Sequence, residues 1–409
     1  MPPTGKTSGS RRSGKSLIKL FWAIDALLPF EAFLAPVMVV YYLDYVDLTF
    51  EIFSLYTGLL LIYQACLEVP LGTVSDRVGR RQAFVLGQAI SVAGLSIIAL
   101  APSLTALYVA GPMFGAGMAL KSGNLGSIAY EAFQRQDAGD EYQPGLTRYA
   151  TISTASMAIA ALIGGFVAIK GLALPMLIDI GVGAAKVGLS FVLLILLWPS
   201  DEREERPRRL LPSRAELREV AGIMRLPQVL QSIAFAVCTI SLTRIGLNFY
   251  QPVFVDLDAD LDDLGYIFAF GILFASGVSY LGKNTALFRM SLKQGIMAFC
   301  AVSLLAGIAF YNPINSFYLA VGGFVLHQFI RIFIGPVLSA TFHGAIPTGH
   351  HYRTTIISMM LFIQSVCLGG AMALFGYIPN YLDDLSLTFT ALHLTVTLGM
   401  LLILWASPK

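Results

Sequence analysis

Long apolar runs repeat along the chain, and short polar connections separate them. A helix needs roughly 20 apolar residues to cross a bilayer, and twelve runs of about that length can be drawn. The pattern therefore predicts twelve transmembrane helices, numbered here as spans 1 to 12. Their predicted bounds are 17–43, 48–71, 82–101, 103–132, 146–169, 174–198, 229–255, 264–281, 293–311, 315–345, 354–377 and 385–407.

One long polar stretch, residues 199–228, divides the spans into six and six. Its second part, from Ser213, can form a helix on the membrane surface. We predict an N-terminal six-helix bundle in residues 1–198, a cytoplasmic linker in 199–228 and a C-terminal six-helix bundle in 229–409. The expected fold class is an all-α membrane protein built from two pseudo-symmetric bundles, an arrangement typical of transporters.

Composition supports a lipid-solvated chain. Charged residues make up 13% of the sequence and hydrophobic residues 56%, with a mean hydropathy of +0.71, whereas soluble domains carry about 25% charged residues. The apolar run from Leu17 is too long for the core of a cleaved signal peptide, so we expect it to remain in place as span 1.

The basic residues predict the orientation. Of the 27 Lys and Arg residues, 22 fall at the termini, in the connections on the same side or at the span ends next to them, four lie deeper inside spans, and one, Lys170, lies on the opposite side. Because positive charge is retained on the cytoplasmic side, we expect both termini to be cytoplasmic and the protein to be a multi-pass inner-membrane protein.

The connection between spans 2 and 3 carries a distinctive loop. It reads Gly72-Thr-Val-Ser-Asp76-Arg77-Val-Gly79-Arg80-Arg81. Gly72 can allow close approach of helices, Gly79 can allow a tight turn, and Asp76 can face the dipole of a neighbouring helix. The loop matches the signature G-x-x-x-D-R-x-G-R-R at every specified position, and the chain therefore resembles the major facilitator superfamily.

Shorter windows resemble one bacterial branch of that superfamily, namely Leu67 to Gly72, Ser122-Gly123 with Ala129 to Glu131, and Tyr250-Gln251-Pro252. The resemblance implies a secondary transporter that works by alternating access. Two departures speak against a standard proton-driven drug exporter. Only Gly164-Gly165 remains of the antiporter signature in span 5, and Gly111 stands where such exporters carry an arginine in span 4.

Ionisable residues inside the spans are the candidate site. They cost several kcal/mol in a bilayer unless they face a cavity or a partner. In the superfamily, spans 1, 4, 7 and 10 line the central cavity, and here these spans carry Glu31, Lys121, Arg244 and Arg331. We predict that these four residues, with His327 and Gln251, bind the solute. Three fixed cations favour an anionic or zwitterionic solute, because guanidinium groups bind carboxylates and phosphates in a planar fork.

A buried carboxyl group can exchange protons near neutral pH, so Glu31 is the first candidate for proton coupling and Asp25 the second. His327 is a further candidate, since an imidazole titrates near neutral pH. Pro29 and Pro36 predict a kink in span 1. The alternative is that the membrane charges are structural ion pairs, of which Asp179 with Lys186 on span 6 is the best example.

A group of charged residues near the cytoplasmic ends of the spans can form a gate of ion pairs that break at little cost. The predicted gate consists of the signature loop with Glu131 and Arg148, and Glu68 lies close to it.

Other function classes lack their minimum chemistry. The sequence has no HExxH and no CxxC motif and no phosphate-binding loop, so an enzyme, a metal site and an ATP-driven pump are not expected. We expect no cofactor, a small-molecule solute, protons and the lipid bilayer as partners, no nucleic acid, and a monomer. The preferred function is proton-coupled export of a small organic solute by antiport. The alternatives are a proton-driven exporter of drugs or lipophilic cations, or a lipid flippase on the same scaffold.

Overall fold

The structure, a computed structural model, describes residues 8–122, 124–134, 137–198, 214–282, 292–311, 316–345, 353–379 and 384–405. Every predicted span is helical in this part of the chain, which contains no strand. The helices of spans 1 to 6 are Ser8–Ala26 with the short pieces Ala35–Val37, Met38–Val40 and Tyr41–Tyr45, then Phe50–Val78, Arg80–Leu100, Leu104–Lys121 with Asn124–Gln134, Gly139–Ala168, and Ala173–Ser190 with Phe191–Leu196. Those of spans 7 to 12 are Pro227–Asp256, Leu261–Gly282, Leu292–Tyr311, Phe317–Ala345, Arg353–Tyr377 and Leu385–Trp405.

Nine of the helices in the described ranges are individually long and apolar enough to cross a membrane. Large apolar side chains such as Leu100 and Trp405 point outward, 84% and 85% exposed, where lipid rather than water would be the favourable surrounding. The predicted fold class is confirmed.

Two compact units contain these helices. Unit 1 comprises Met1–Ala35 and Tyr63–Leu210, and unit 2 comprises Pro36–Ile62 and Leu211–Lys409. The part of span 1 that follows Ala35 and the first half of span 2 thus belong to unit 2. The predicted bundles, with bounds at residues 198 and 229, describe the order of helices along the chain and stay a prediction.

The core of unit 1 is aromatic where span 1 meets spans 4 and 5. The Trp22 ring stacks on Phe133 with 5.7 Å between centroids, and Tyr142 and Tyr149 pack against the same indole at 6.1 and 5.9 Å. Spans 1 and 5 therefore hold each other through large rings at the end of the unit that we predict to be cytoplasmic.

In unit 2, residues 36–62 pack against span 7. The Tyr250 hydroxyl donates to the Pro36 carbonyl at 3.1 Å, and the Phe50 and Phe249 rings lie 4.9 Å apart. Tyr250 also packs against the Phe324 ring of span 10, at 4.4 Å. Span 7 is therefore the central helix of this unit, with most of its residues buried.

The connection between spans 2 and 3 and part of the linker between spans 6 and 7 adopt defined conformations. Span 2 ends at Val78 and span 3 begins at Arg80, with Gly79 between them at φ 113°, a backbone conformation that side chains disfavour. The tight turn expected at Gly79 is therefore present. Residues Arg214–Met224 of the linker form a helix whose Val220, Ile223 and Met224 side chains are buried.

Candidate functional site

Span 1 is interrupted near its middle. Its first helix ends at Ala26, and helical structure resumes at Ala35. Pro29 lies in the gap and Pro36 just after it, and proline interrupts a helix because it has no N–H group and its ring clashes with the carbonyl four residues earlier. Inside the gap, Glu31 has φ 66°, a left-handed conformation that is costly for a residue with a side chain. The kink predicted from the prolines is a complete break.

A buried carboxylate from span 6 accepts hydrogen bonds from the backbone that follows Glu31. Asp179 is 0% exposed. Its Oδ1 accepts from the N–H groups of Ala32 and Phe33 at 3.1 and 3.4 Å, and its Oδ2 accepts from Leu34 at 2.8 Å. Because the break leaves these N–H groups without helical acceptors, Asp179 acts as their cap.

Two glycines allow the broken segment to lie close to its neighbours. A Cβ on Gly164 would lie 1.9 Å from the carbonyl oxygen of Phe33, and a Cβ on Gly183 would lie 2.6 Å from the ring of Phe30. Gly164 is one of the two glycines left of the span 5 signature. The contact explains why a glycine stands at this position, since any side chain there would displace the broken segment of span 1.

Four charged side chains around the break form two ion pairs. Lys186 Nζ lies 3.0 Å from Asp25 Oδ1, and the Tyr149 hydroxyl donates to Asp25 Oδ2 at 2.8 Å. Lys121 Nζ lies 4.0 Å from Glu31 Oε1. The first pair is short and buried, with Asp25 3% exposed, whereas the Glu31 side chain is 41% exposed. The second pair is therefore the one that an incoming charged group can replace at lower cost.

A cavity of about 170 Å³ opens beside these pairs. Lys121, Lys186 and Asp25 supply its charges, Tyr149 and Gln88 its other polar groups, and Phe30 and Phe84 its aromatic walls. The Lys121 ammonium lies 5.6 Å from the centre of the Phe30 ring, close enough for a cation–π contact. Sites for drug-sized molecules usually measure about 300–1,000 Å³, so this cavity suits a small solute.

The predicted structural pair of Asp179 with Lys186 is not formed. Residues seven apart on a helix lie about 10 Å apart along its axis, and the structure gives each of the two a partner on span 1 instead. Asp25 and Glu31 lie on either side of the point where the first helix ends, and each pairs with a lysine, Asp25 with Lys186 and Glu31 with Lys121.

The predicted site residues of unit 2 fall into a different environment. Arg244 is exposed and Arg331 is half-buried; they lie on spans 7 and 10, which pack against each other where Tyr250 meets Phe324. His327 is completely buried, with Nε2 3.3 Å from the Thr243 carbonyl oxygen and its ring 5.5 Å from that of His393. His327 is thus part of a packed core in this conformation.

The amide of Gln251 binds protein backbone. Its Oε1 accepts from the Val39 N–H at 2.7 Å, and its Nε2 donates to the Tyr250 hydroxyl at 3.1 Å. Gln251 and Tyr250 therefore hold the outer part of span 1 in unit 2, and the role predicted for Gln251 in solute binding stays a prediction.

Two of the residues predicted to form the gate make an ion pair in unit 1, and the gate itself stays a prediction. Arg80 pairs with Glu131, and the Arg81 guanidinium lies over the Trp198 ring at 5.0 Å. Arg77 and Arg148 are exposed. The side chain of Asp76 lies outside the described part of the chain. A Cβ on Gly72 would meet nothing within 4 Å, so the close approach expected there is not seen around it among the described residues.

Three residues of this site were not predicted from the sequence. Tyr149 and Gln88 are polar residues on spans 5 and 3, which were not expected to line the cavity, and Lys186 was assigned to a structural pair. A polar side chain deep in an apolar run was the available signal for all three, but the helix that each one faces follows from packing rather than from spacing.

Solved structures of several transporters resemble this chain in fold. A solved nucleoside transporter, NupG, is 12% identical with a TM-score of 0.75, covering 96% of this chain and 100% of that one. A POT family transporter in complex with a thioalcohol-conjugated peptide is 16% identical with a TM-score of 0.69, covering 96% of each chain. The human organic anion transporter MFSD10 (TETRAN) is 12% identical with a TM-score of 0.60, covering 96% and 99%. No curated protein sequence matches the chain.

At these identities the solved structures support the fold alone. The family model of the Major Facilitator Superfamily matches residues 26–373, which is most of the 409 residues and includes both units. The chain therefore belongs to the Major Facilitator Superfamily and is a multi-pass membrane transporter rather than an enzyme.

Proposed function

We propose that this transporter is a secondary active exporter of a small anionic or zwitterionic organic solute, exchanged for protons across the inner membrane. The observation that carries the proposal is the charge lining the unit 1 cavity. Two ammonium groups, of Lys121 and Lys186, face it with one carboxylate, of Asp25. Asp25 holds Lys186 at 3.0 Å, whereas Lys121 lies 4.0 Å from the partly exposed Glu31, so the Lys121 ammonium is the group that a negatively charged part of a solute would bind.

The Glu31–Lys121 pair supplies a means of exchange. A zwitterionic solute can bind Lys121 with its carboxylate and the deprotonated Glu31 with its ammonium group. Protonation of Glu31 then releases the ammonium end of the solute, so solute and proton compete for the Glu31 carboxylate, which is the requirement for antiport. Asp25, already held by Lys186 and Tyr149, is the second proton candidate.

Arg244 and Arg331 are proposed as further solute-binding groups, supported by the packing of spans 7 and 10 against each other. A carboxylate or phosphate can bind guanidinium groups through planar forks. His327 stays a proposal for the same role.

The substrate class is tested by a thermal-shift screen of the purified protein at two pH values. Three probes of similar size represent the classes: glutarate as anion, 5-aminovalerate as zwitterion and choline as cation. We expect stabilisation by glutarate or 5-aminovalerate, since a ligand at 100 times its Kd raises the free energy of unfolding by about 2.7 kcal/mol. Stabilisation by choline alone would contradict the proposal and favour a cation exporter.

A matched pair of lysine variants locates the response. Lys121→Gln removes a cavity charge, whereas Lys170→Gln removes an exposed lysine between spans 5 and 6. The anion-dependent shift should disappear in the first variant and persist in the second. An equal response from both would place the binding site away from the cavity.

Orientation and alternating access are tested separately. A reporter active only in the cytoplasm should give signal when fused after Lys409 and none when inserted near Asp260, because the basic residues place these on opposite sides. Asp76→Asn should leave the protein folded and slow solute exchange in proteoliposomes. Exchange at the wild-type rate would mean that the signature loop serves topology alone.

A further inference from the structure

The backbone after Glu31 forms a concave group of N–H donors. A residue in the left-handed conformation followed by successive amides creates an anion-binding concavity, and here the three N–H groups of Ala32, Phe33 and Leu34 converge on the carboxylate of Asp179. The anion in this concavity is thus part of the protein itself, contributed by span 6.

The arrangement requires both oxygens of a carboxylate. Oδ1 accepts from two N–H groups and Oδ2 from the third. An asparagine could offer one oxygen, but its NH₂ group would then face the N–H of Leu34, donor against donor. No basic side chain in the described part of the chain lies within ion-pair distance of Asp179, so these backbone N–H groups are its polar partners.

The position of the cap determines the position of Glu31. Glu31 immediately precedes the three capped amides, and its left-handed backbone persists only where the surrounding structure holds it. Gly164 of span 5 packs directly against this segment, since a Cβ there would lie 1.9 Å from the Phe33 carbonyl oxygen. The segment therefore has no room to shift toward span 5. The side chain of Glu31 leaves this fixed segment toward Lys121, 4.0 Å away.

We propose that Asp179 is a positioning residue for the binding site: its carboxyl group fixes the break in span 1 and thereby holds Glu31 against Lys121. The inference rests on the proposed function, in which this pair is the exchangeable one. Its test needs no solute, so a failure of the substrate proposal and a failure of this one are distinguishable.

The cap is measured first in the wild-type protein by hydrogen exchange of the amides of residues 32–34. These amides lie outside any helix, yet the cap should make them exchange as slowly as helical amides of unit 1. Exchange at the rate of an open loop would overturn the proposal without any variant.

Asp179→Asn then removes one acceptor with little change in shape. Exchange of residues 32–34 should rise by about ten- to hundredfold, the factor that corresponds to one charge-assisted hydrogen bond. Gly181→Ala is the matched control, because it changes span 6 two residues from Asp179, where a Cβ would meet nothing within 4 Å, and leaves the cap intact. If Gly181→Ala raised exchange at residues 32–34 equally, the effect would reflect general loosening of unit 1, and the proposal would be wrong.

Positioning of Glu31 is read from the reactivity of Lys121 toward methyl acetimidate, which modifies the neutral amine. Glu31→Gln should accelerate modification of Lys121, because the carboxylate no longer stabilises the ammonium form. Asp179→Asn should accelerate it similarly, and the double variant should show no further increase. Lys170 provides an internal control in every sample.

Independent, additive effects of the two variants on Lys121 would overturn the proposal, as would a wild-type Lys121 rate in Asp179→Asn with raised amide exchange. The latter result would make Asp179 a structural cap alone. A second route to the same displacement is Gly164→Ala, with Gly181→Ala as control because a Cβ there meets nothing within 4 Å. Gly164→Ala should reproduce the Lys121 acceleration, and Gly181→Ala should not.

Discussion

The polar groups of the two units serve different ends. In unit 1, Asp25 with Lys186 and Glu31 with Lys121 form opposite-charge pairs beside a cavity. In unit 2, His327 is enclosed against Phe389 with 5.5 Å between ring centroids, and the amide of Gln251 holds backbone.

The difference indicates which polar groups can exchange their present partner for a solute. A charge that already has a partner beside a cavity can change that partner for a solute at modest cost, because the pair is replaced rather than lost. A polar group packed among rings would first have to lose its packing. Unit 1 therefore has the charged pairs that the proposed exchange needs, whereas His327 and Gln251 of unit 2 are held by packing and by backbone.

The largest expected effect is on the buried pair of unit 1. Asp25→Asn or Lys186→Gln should each lower the free energy of unfolding by about 3–5 kcal/mol, because one charge is left buried without its partner. The double variant should lose much less than the sum of the two, as expected for residues that share one interaction. Thermal unfolding in detergent measures this, and strictly additive losses would show that the two charges do not depend on each other.

A smaller effect of opposite sign is expected in unit 2. Arg331→Met should raise the free energy of unfolding by on the order of 1 kcal/mol, because it replaces a half-buried charge with an apolar side chain. The same variant should weaken binding of the probe that gives the largest thermal shift. A loss of stability as large as that of Asp25→Asn would erase the contrast between the units.

A comparable effect is expected from the contact that holds span 1 in unit 2. Tyr250→Phe removes the hydrogen bond to the Pro36 carbonyl and the one from Gln251 Nε2, and should lower the free energy of unfolding by about 0.5–1.5 kcal/mol for each bond. The phenylalanine ring keeps the packing against Phe324. An unchanged melting temperature would indicate that the hydroxyl is not bonded in solution.

The smallest effect belongs to the gate. Arg80 and Glu131 are 29% and 35% exposed, so Arg80→Gln should change the free energy of unfolding by less than about 1 kcal/mol. Its effect should appear in the rate of solute exchange in proteoliposomes. A large loss of stability with an unchanged exchange rate would make this pair structural.

Much of this fold could be predicted from hydrophobicity, because a run such as Pro227–Asp256 must be helical in lipid to satisfy its own backbone. The break in span 1 was predicted only as a kink. Proline marks where a helix is weakened, but whether it ends there depends on what accepts the freed N–H groups, and that acceptor, Asp179, lies 145 residues from Leu34 in the sequence.

For the site, the sequence identified charged residues but not their partners. Glu31 and Lys121 were predicted as members of one site, and the structure places them 4.0 Å apart. Lys186 was given the wrong partner, because spacing along one helix carries no information about which neighbouring helix a side chain meets. Interhelical pairing depends on packing, which small residues such as Gly164 and Gly183 decide.

The most direct test of the account is a labelling footprint of the cavity. Modification of lysines by methyl acetimidate is measured by mass spectrometry with and without a saturating concentration of the probe that gives the largest thermal shift. If the solute binds in the unit 1 cavity, the probe slows modification of Lys121 and Lys186 at least severalfold and leaves the rate at Lys170 unchanged. Equal rates at Lys121 with and without the bound probe would contradict the claim that the solute binds in the unit 1 cavity.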